Sequence, residues 1–289
     1  MLGLLASILD GVLIGAVYGL AGMGITLIWG VMDVVNLTHG AMIVAGMFGT
    51  YLLVSAAGIP VYATLPIVLV GGFLVGVPLY WIAVHRVIGQ PPLMSLLSTF
   101  AVNLVLVGLG TAVWGTDLFN VPASLPGFSM GRYTFPGTHL MAAALTAVIA
   151  GVLYLFLYRT RIGKAVRAVS ANREAAELVG IPTARVLAMA FGIGVALACV
   201  AGMLISTMFP FTVLSGDAYQ LKSFLVTVLG GLGNPTGALV AGVALGLVEG
   251  LTTPFVPVSW TLVIEFVLFV VVLIAVPGGL MQLLRWRRS

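Results

Sequence analysis

Trp29-Gly30-Val31-Met32-Asp33-Val34-Val35-Asn36-Leu37-Thr38-His39-Gly40-Ala41-Met42-Ile43-Val44-Ala45-Gly46 joins two long apolar runs through an aspartate, an asparagine and a histidine. At the centre of a bilayer an aspartate costs about 2.5–3.5 kcal/mol on insertion scales. Such groups are tolerated where a helix breaks to line a path or a protein interior. The stretch therefore predicts a discontinuous helix in a chain that conducts something polar across a membrane. Asp33, Asn36 and His39 are spaced by three, which sets them on one face if the helix continues. One reading makes them a path lining or a hinge. The other makes Asp33 or Asn36 a helix-end cap and has Asn36 and His39 satisfy freed backbone groups. The second is favoured for Asn36 and His39, and both stay open here.

The composition agrees with membrane residence. Of the 289 residues, 61% are hydrophobic and 7% charged, against about 25% charged in soluble proteins. Mean hydropathy is +1.21. This leaves no room for a soluble catalytic domain, and the whole of 1–289 reads as one transmembrane domain. The single cysteine, Cys199, excludes a disulfide within the chain and reads as a packing residue. The net charge of +4 is no nucleic-acid signal, because the basic residues sit in short loops. Met1-Leu2-Gly3-Leu4-Leu5 lacks the positive region of a cleaved signal peptide, so the first apolar run is expected to be retained.

About 20 apolar residues cross a 30 Å core. On that ruler spans are expected at 9–30, 39–57, 61–84, 92–113, 138–158, 184–206, 211–230, 236–253 and 259–276. The fold class is an all-α polytopic bundle of about 8–10 transmembrane helices. The Asn36 region or the 211–253 region is a candidate for re-entry. Arg159, Arg161, Lys164, Arg167, Arg173 and Arg185 cluster after residue 158, and Arg285, Arg287 and Arg288 end the chain. The positive-inside rule puts these nine of twelve basic residues in the cytoplasm. Nine spans then give an external N-terminus, a cytoplasmic C-terminus and an internal Arg86. The loop at 114–137, with Asp117, Arg132, Pro122, Pro126 and Pro136, faces outward.

Most of the 37 glycines lie inside spans. Gly15 with Gly19, Gly192 with Ala196, and Gly242 with Gly246 are spaced to let backbones approach closely. An internal echo aligns Asn36-Leu-Thr38 through Gly46 with Asn234-Pro-Thr236 through Gly242, with two gaps. It suggests an internal repeat around a binding site, with chance recurrence of small residues as the rival.

The loop from Arg159 to Arg185 is the second informative segment. From Arg167 to Pro182 the sequence reads as a short amphipathic helix: Asn172 caps its start, Glu174 sits in the first turn, and Gly180 before Pro182 ends it. It is a docking knob for another protein, or a helix resting on headgroups.

Glu174-Ala175-Ala176-x3-Gly180 resembles the start of the EAA loop, by which ABC-transporter permeases contact their ATPase subunits. The isoleucine and Leu-Pro of its later part are absent. The chain as a whole resembles the branched-chain amino-acid ABC permease family, the first of its two permease types. Asn36-Leu-Thr-His39-Gly40 is similar to the family's Asn-x-x-His-Gly signature, and Arg167-Ala168-x5-Glu174-x5-Gly180-Ile181 to its cytoplasmic loop. Lys222-x7-Gly230-Gly231-Leu232-Gly233-Asn234-x2-Gly237-Ala238-x3-Gly242 is similar to its Gly-Gly-x-Gly segment. The departures are Ala41 for an acidic residue, Gly46-Met47-Phe48 for Gly-Ala-Tyr, and Val276-Pro277 for Arg-Pro.

Asn103, Glu249 and Glu265 also lie inside spans, with Glu249 the best candidate for a functional carboxylate and Glu265 readable as a neutral, hydrogen-bonded acid. The residues expected at a translocation path or helix break are thus Asp33, Asn36, His39, Gly40, Asn103, Gly230, Gly231, Gly233 and Glu249. Those expected to couple to an ATPase are Arg167, Arg173, Glu174, Ala175, Ala176 and Gly180. No catalytic residue and no metal site are expected. The sequence has no Gly-x4-Gly-Lys-Ser/Thr phosphate loop and no His-Glu-x-x-His pair. No cofactor is expected on the chain itself, and ATP would be used by partner subunits.

The resemblance implies a permease subunit of an importer in a prokaryotic cytoplasmic membrane. It further implies a second permease or a homodimer arrangement, two cytoplasmic ATPases and an external solute-binding protein. The implied cargo is a branched-chain or other small amino acid, with urea or short amides as alternatives. The main rival is an ion-coupled secondary carrier or channel using Asp33, Glu249 or Glu265. A non-transporting scaffold leaves the buried polar residues unexplained.

Overall fold

A computed structural model describes residues 2–130 and 133–275. Arg132, Val276, Pro277 and the arginines at 285, 287 and 288 lie outside the described residues.

The bundle is predominantly helical. Its elements are α1 (Leu2–Met32), α2 (His39–Ser55), α3 (Leu65–Leu79), α4 (Pro92–Trp114), α5 (Gly137–Arg159), α6 (Arg161–Ala171) and α7 (Arg173–Leu178). They continue with α8 (Thr183–Ser206), α9 (Gly216–Gly230), α10 (Pro235–Thr252) and α11 (Val258–Ala275). A small antiparallel hairpin, β1 (Phe128–Met130) and β2 (Tyr133–Phe135), sits in the loop before α5. β1–β2 mark one end of the bundle, and α6–α7 mark the other, its loop end.

Among the described residues six helices are long and apolar enough to cross a membrane, including α3 extended to Val61–Val84. Pro78 removes a backbone donor within that span, and a π-helical turn, Tyr80–Val84, follows it. Helices stand at the nine expected positions, α1, α2, α3, α4, α5, α8, α9, α10 and α11, but α2, α9 and α11 are not among those six, and α2 has 17 residues, about 25 Å. The span expected at 211–230 needs correction. Its helix starts only at Gly216 and has 15 residues, about 22 Å at 1.5 Å per residue, short of a 30 Å core. Residues before it form a bridge, Phe119 with Phe211, and a 3-10 turn, Val213–Ser215.

The core is built on α1 and α8, whose side chains are buried almost all round. The expected glycine pairs do pack helices. A Cβ on Gly15 would stand 2.6 Å from the Gly242 carbonyl oxygen, and one on Gly76 would stand 2.8 Å from the Gly192 Cα. Only hydrogen fits where α1 meets α10 and where α3 meets α8. With no hydrophobic drive between helices inside lipid, such close packing is what holds them together.

Candidate functional site

The apolar helix α1 ends where Asp33 takes φ +53°, a left-handed conformation that Asp tolerates better than most residues. Residues 33–38 are non-helical, so Asp33, Asn36 and His39 do not share a helix face. Asp33 is exposed and lines a polar cavity of about 450 Å³ with Gln90, Asn172 and Arg173. It therefore belongs to the loop end.

Asn36 and His39 are 1% and 0% exposed. The Asn36 Oδ1 accepts from the Thr38 N–H at 3.0 Å and the Thr38 hydroxyl at 2.6 Å. Thr99 of α4 accepts from the Leu37 N–H at 3.2 Å. Gln220 of α9 donates to the Asn36 carbonyl at 3.2 Å and accepts from the Gly40 N–H. The His39 Nε2–H donates to the Ala21 carbonyl at 3.0 Å. A carbonyl only accepts, so the Nε2 holds a proton, and the Nδ1 has no partner among the described residues. These bonds take up part of the backbone at the break: the Leu37, Thr38 and Gly40 N–H groups and the Asn36 and Ala21 carbonyls.

Ala21 precedes the end of α1 by eleven positions, about 16 Å and roughly half of a 30 Å core. α2 thus starts well inside the bundle. Gly40 packs on Gly216, the first residue of α9. The break is held from α1, α4 and α9 together.

Glu249 belongs to a separate buried cluster. The Lys222 ammonium of α9 lies 2.8 Å from the Glu249 Oε2 of α10 and 3.2 Å from the Glu265 Oε1 of α11. It donates to the Tyr18 hydroxyl of α1 at 3.4 Å, 4.5 Å from that ring's centroid. Four helices meet at one cation. Asn103 is half-buried on α4 and joins neither group. Gly230, Gly231 and Gly233 form the α9–α10 turn at the loop end. Gly231 (φ +91°) terminates α9, and Gly233 (φ +78°) packs on Gly30. They mark a helix break there rather than beside Asn36.

The echo between Asn36 and Asn234 is a shared local turn. Asn234 also accepts from the hydroxyl two residues on, Thr236, at 2.7 Å, and from the Gly237 N–H at 3.1 Å. It caps α10 directly, whereas Asn36 stands before the start of α2.

The 159–183 loop contains two helices, α6 and α7, where the sequence suggested one. Asn172 breaks the chain between them and caps α7, accepting from the Ala175 N–H at 2.9 Å. Thr160 caps α6 through the Gly163 N–H at 3.0 Å. On α6, Gly163, Val166 and Val169 are buried while Arg161, Lys164 and Arg167 are exposed, a helical alternation of faces. The Arg167 guanidinium lies 4.5 Å from the Tyr158 ring centroid. α7 closes with a Schellman turn: the Gly180 N–H donates to Glu177 and the Ile181 N–H to Ala176, each at 3.0 Å, with Gly180 at φ +83°. Arg173, Glu174 and Ala175 are exposed, but Ala176 is buried. At the tip, Leu178 and Val179 are 89% and 77% exposed. The Thr183 hydroxyl donates to Glu177, and this bond, with Arg173 beside it, holds the Glu177 carboxyl below its ordinary value.

Residues 7–273 match the family described as branched-chain amino acid transport system / permease component. The chain is similar to the high-affinity branched-chain amino acid transport system permease protein LivH of Escherichia coli (strain K12). The identity there is 26%, over 96% of this chain and 95% of that protein. It is 25% identical to the corresponding permease protein BraD of Pseudomonas aeruginosa, again over 96% and 95%. A probable branched-chain amino acid transport permease protein LivH of Methanocaldococcus jannaschii is 28% identical, over 90% of this chain and 87% of that protein. No solved structure matches the chain significantly. With the break, the buried cluster and the capped loop inside the matched span, this multi-pass membrane protein belongs to the permease component family of branched-chain amino acid transport systems.

Proposed function

We infer that this permease subunit imports branched-chain or other small amino acids, driven by ATP that separate subunits hydrolyse. The observation that carries the coupling is the α6–α7 knob. Two capped helices present a basic face and an apolar tip, Leu178 and Val179, to the aqueous side. A pair of exposed aliphatic residues on a rigid, polar loop suits insertion into a partner's groove. Arg173, Glu174 and Ala175 lead into that tip along α7, Arg167 lies on the exposed face of α6, and Ala176 and Gly180 shape the turn. ATPase closure would push this knob, which packs on α8 and, through Ser170 to the Gly30 carbonyl, on α1. The bundle would then rock against a second permease, homologous or identical, receiving cargo from an external binding protein. In this arrangement the loop end and the C-terminus are cytoplasmic and the N-terminus is external.

The ion-coupled carrier is the weaker reading. Glu249 and Glu265 are both engaged by Lys222, and Asp33 is exposed at the loop end.

The test is affinity purification of the tagged protein in mild detergent, beside an Arg167→Glu/Glu174→Arg variant. An ATPase that co-purifies with the natural chain and not with the variant supports the reading. A chain that moves amino acids in liposomes without ATPase or ATP overturns it.

A further inference from the structure

Two helices of this bundle start inside it, and their starts touch. α2 opens at His39, level with Ala21, and α9 opens at Gly216, whose carbonyl packs against Gly40. Both helices direct their positive dipole ends at this point. Neither N-cap residue, Thr38 or Ser215, forms a side-chain cap. Gln220 takes the Gly40 N–H, but the N–H groups of His39 and Ala41 find no acceptor among the described residues.

Asn36 supplies an independent sign. Because the Thr38 N–H donates to its Oδ1, the orientation of the amide is fixed and the Nδ2 is a donor at the start of α2. That Nδ2 is buried and has no partner among the described residues. Buried donors are nearly always paired, and unpaired donors gathered at helix starts inside a membrane suit a carboxylate.

Directly beside the junction lies an apolar cavity of about 500 Å³ between α2 and α4. Ala41 and Val44 of the first turns of α2, Phe48, Val107, Gly110, and Val213 just before α9 are among its walls. Asp217, exposed in the first turn of α9, brings a negative charge to the same junction.

We propose that this junction binds the translocated amino acid, with the α-carboxylate on the Asn36 amide and the start of α2, and an aliphatic side chain in the α2–α4 cavity. The site rests on the transport reading above and adds its selectivity. The ammonium end lies toward Asp217, which offsets the positive charge there and orients the zwitterion. Val107 and Phe48 limit how large a side chain fits. His39 is a positioning residue, since its bond to Ala21 sets where α2 begins.

The test uses the permease with its partner subunits in proteoliposomes, measuring ATP-driven uptake of leucine and of alanine. Val107→Trp fills the cavity, and leucine uptake should fall at least tenfold relative to alanine. Asn36→Asp exchanges the donor for an acceptor; it should weaken leucine uptake at least tenfold while the ATPase still co-purifies. In the natural complex 3-methylbutylamine, which lacks the carboxylate, should fail to compete with leucine. An unchanged leucine-to-alanine ratio in Val107→Trp overturns the site, as it would if a lipid chain fills the cavity. Effective competition by the amine also overturns it. A natural complex that moves neither amino acid overturns the transport reading instead.

Discussion

Glu265 is fully buried, with its Oε1 3.2 Å from the Lys222 ammonium, so a helix exposed along much of its length is tied to the bundle by an ion pair. The same ammonium also holds Glu249 at 2.8 Å. Removing one partner of a buried pair leaves an uncompensated charge, at a cost of about 3–5 kcal/mol. Lys222→Met should therefore destabilise the protein by about that amount, because two carboxylates lose their cation. Glu265→Gln keeps a hydrogen-bond acceptor for Lys222 and leaves the Glu249 pair, so its effect should be clearly smaller. Thermal unfolding of the purified variants in detergent gives the order. Equal losses for the two would show that the cluster does not act through charge.

Gln220 closes the α1–α2 break from both sides, donating to Asn36 and accepting from Gly40. Gln220→Leu leaves a buried carbonyl and a buried N–H without a side-chain partner, about 1–3 kcal/mol for each orphaned group. Gln220→Glu keeps the acceptor for Gly40 and loses the donor to Asn36. Amide exchange at Gly40 should accelerate in Gln220→Leu and stay slow in Gln220→Glu. Rapid exchange in the natural protein would contradict the clamp.

The glycine contacts make a sharp contrast. A Cβ on Gly15 would press on the Gly242 carbonyl, but one on Gly49 would meet nothing within 4 Å. Overpacking costs about 1–3 kcal/mol, so Gly15→Ala should lower the unfolding temperature and Gly49→Ala should not. A matched response at both positions would remove the α1–α10 contact as the explanation.

Most helices were legible because a membrane span must be long and apolar, and the boundaries of α3, α4, α5, α8 and α10 fall close to the expected ones. The break at Asp33–Thr38 was legible because its polar residues interrupt that pattern. What escaped was depth. The short helix α9 has a mostly apolar lead-in at Phe211–Leu214 that extends the hydropathy of the span, although Pro210 before it and Ser215-Gly216-Asp217 after it mark the later helix start. Lys222 carried an unused signal: a lysine inside an apolar run demands a partner, and Glu249 and Glu265 were both available. Gln220 gave less, since an amide shows its role only when α9 is placed against the break. In the loop, the caps were legible residue by residue, but the split at Asn172 was not. One asparagine ends α6 with its backbone and starts α7 with its side chain.

The Glu177–Thr183 bond ties α7 to the first residue of α8, and its pH dependence follows from the direction of the Glu177 shift. The folded carboxyl titrates below its unfolded value of about 4.3, through the Thr183 hydroxyl first and Arg173 second. Its contribution is therefore complete above the unfolded value and is lost only as pH falls through the lower folded one. Between about pH 5 and 8 the knob should keep its geometry, and amide exchange around Ile181 should be protected equally across that range. Protection should drop only in stronger acid. Thr183→Val removes the main cause of the shift, so the Glu177 titration followed by NMR should move upward toward the ordinary value, and protection of the Schellman turn should be weaker already at neutral pH and lose most of its acid dependence. An unchanged Glu177 titration in Thr183→Val would mean that Arg173, rather than the α8 hydroxyl, sets the charge of this side chain.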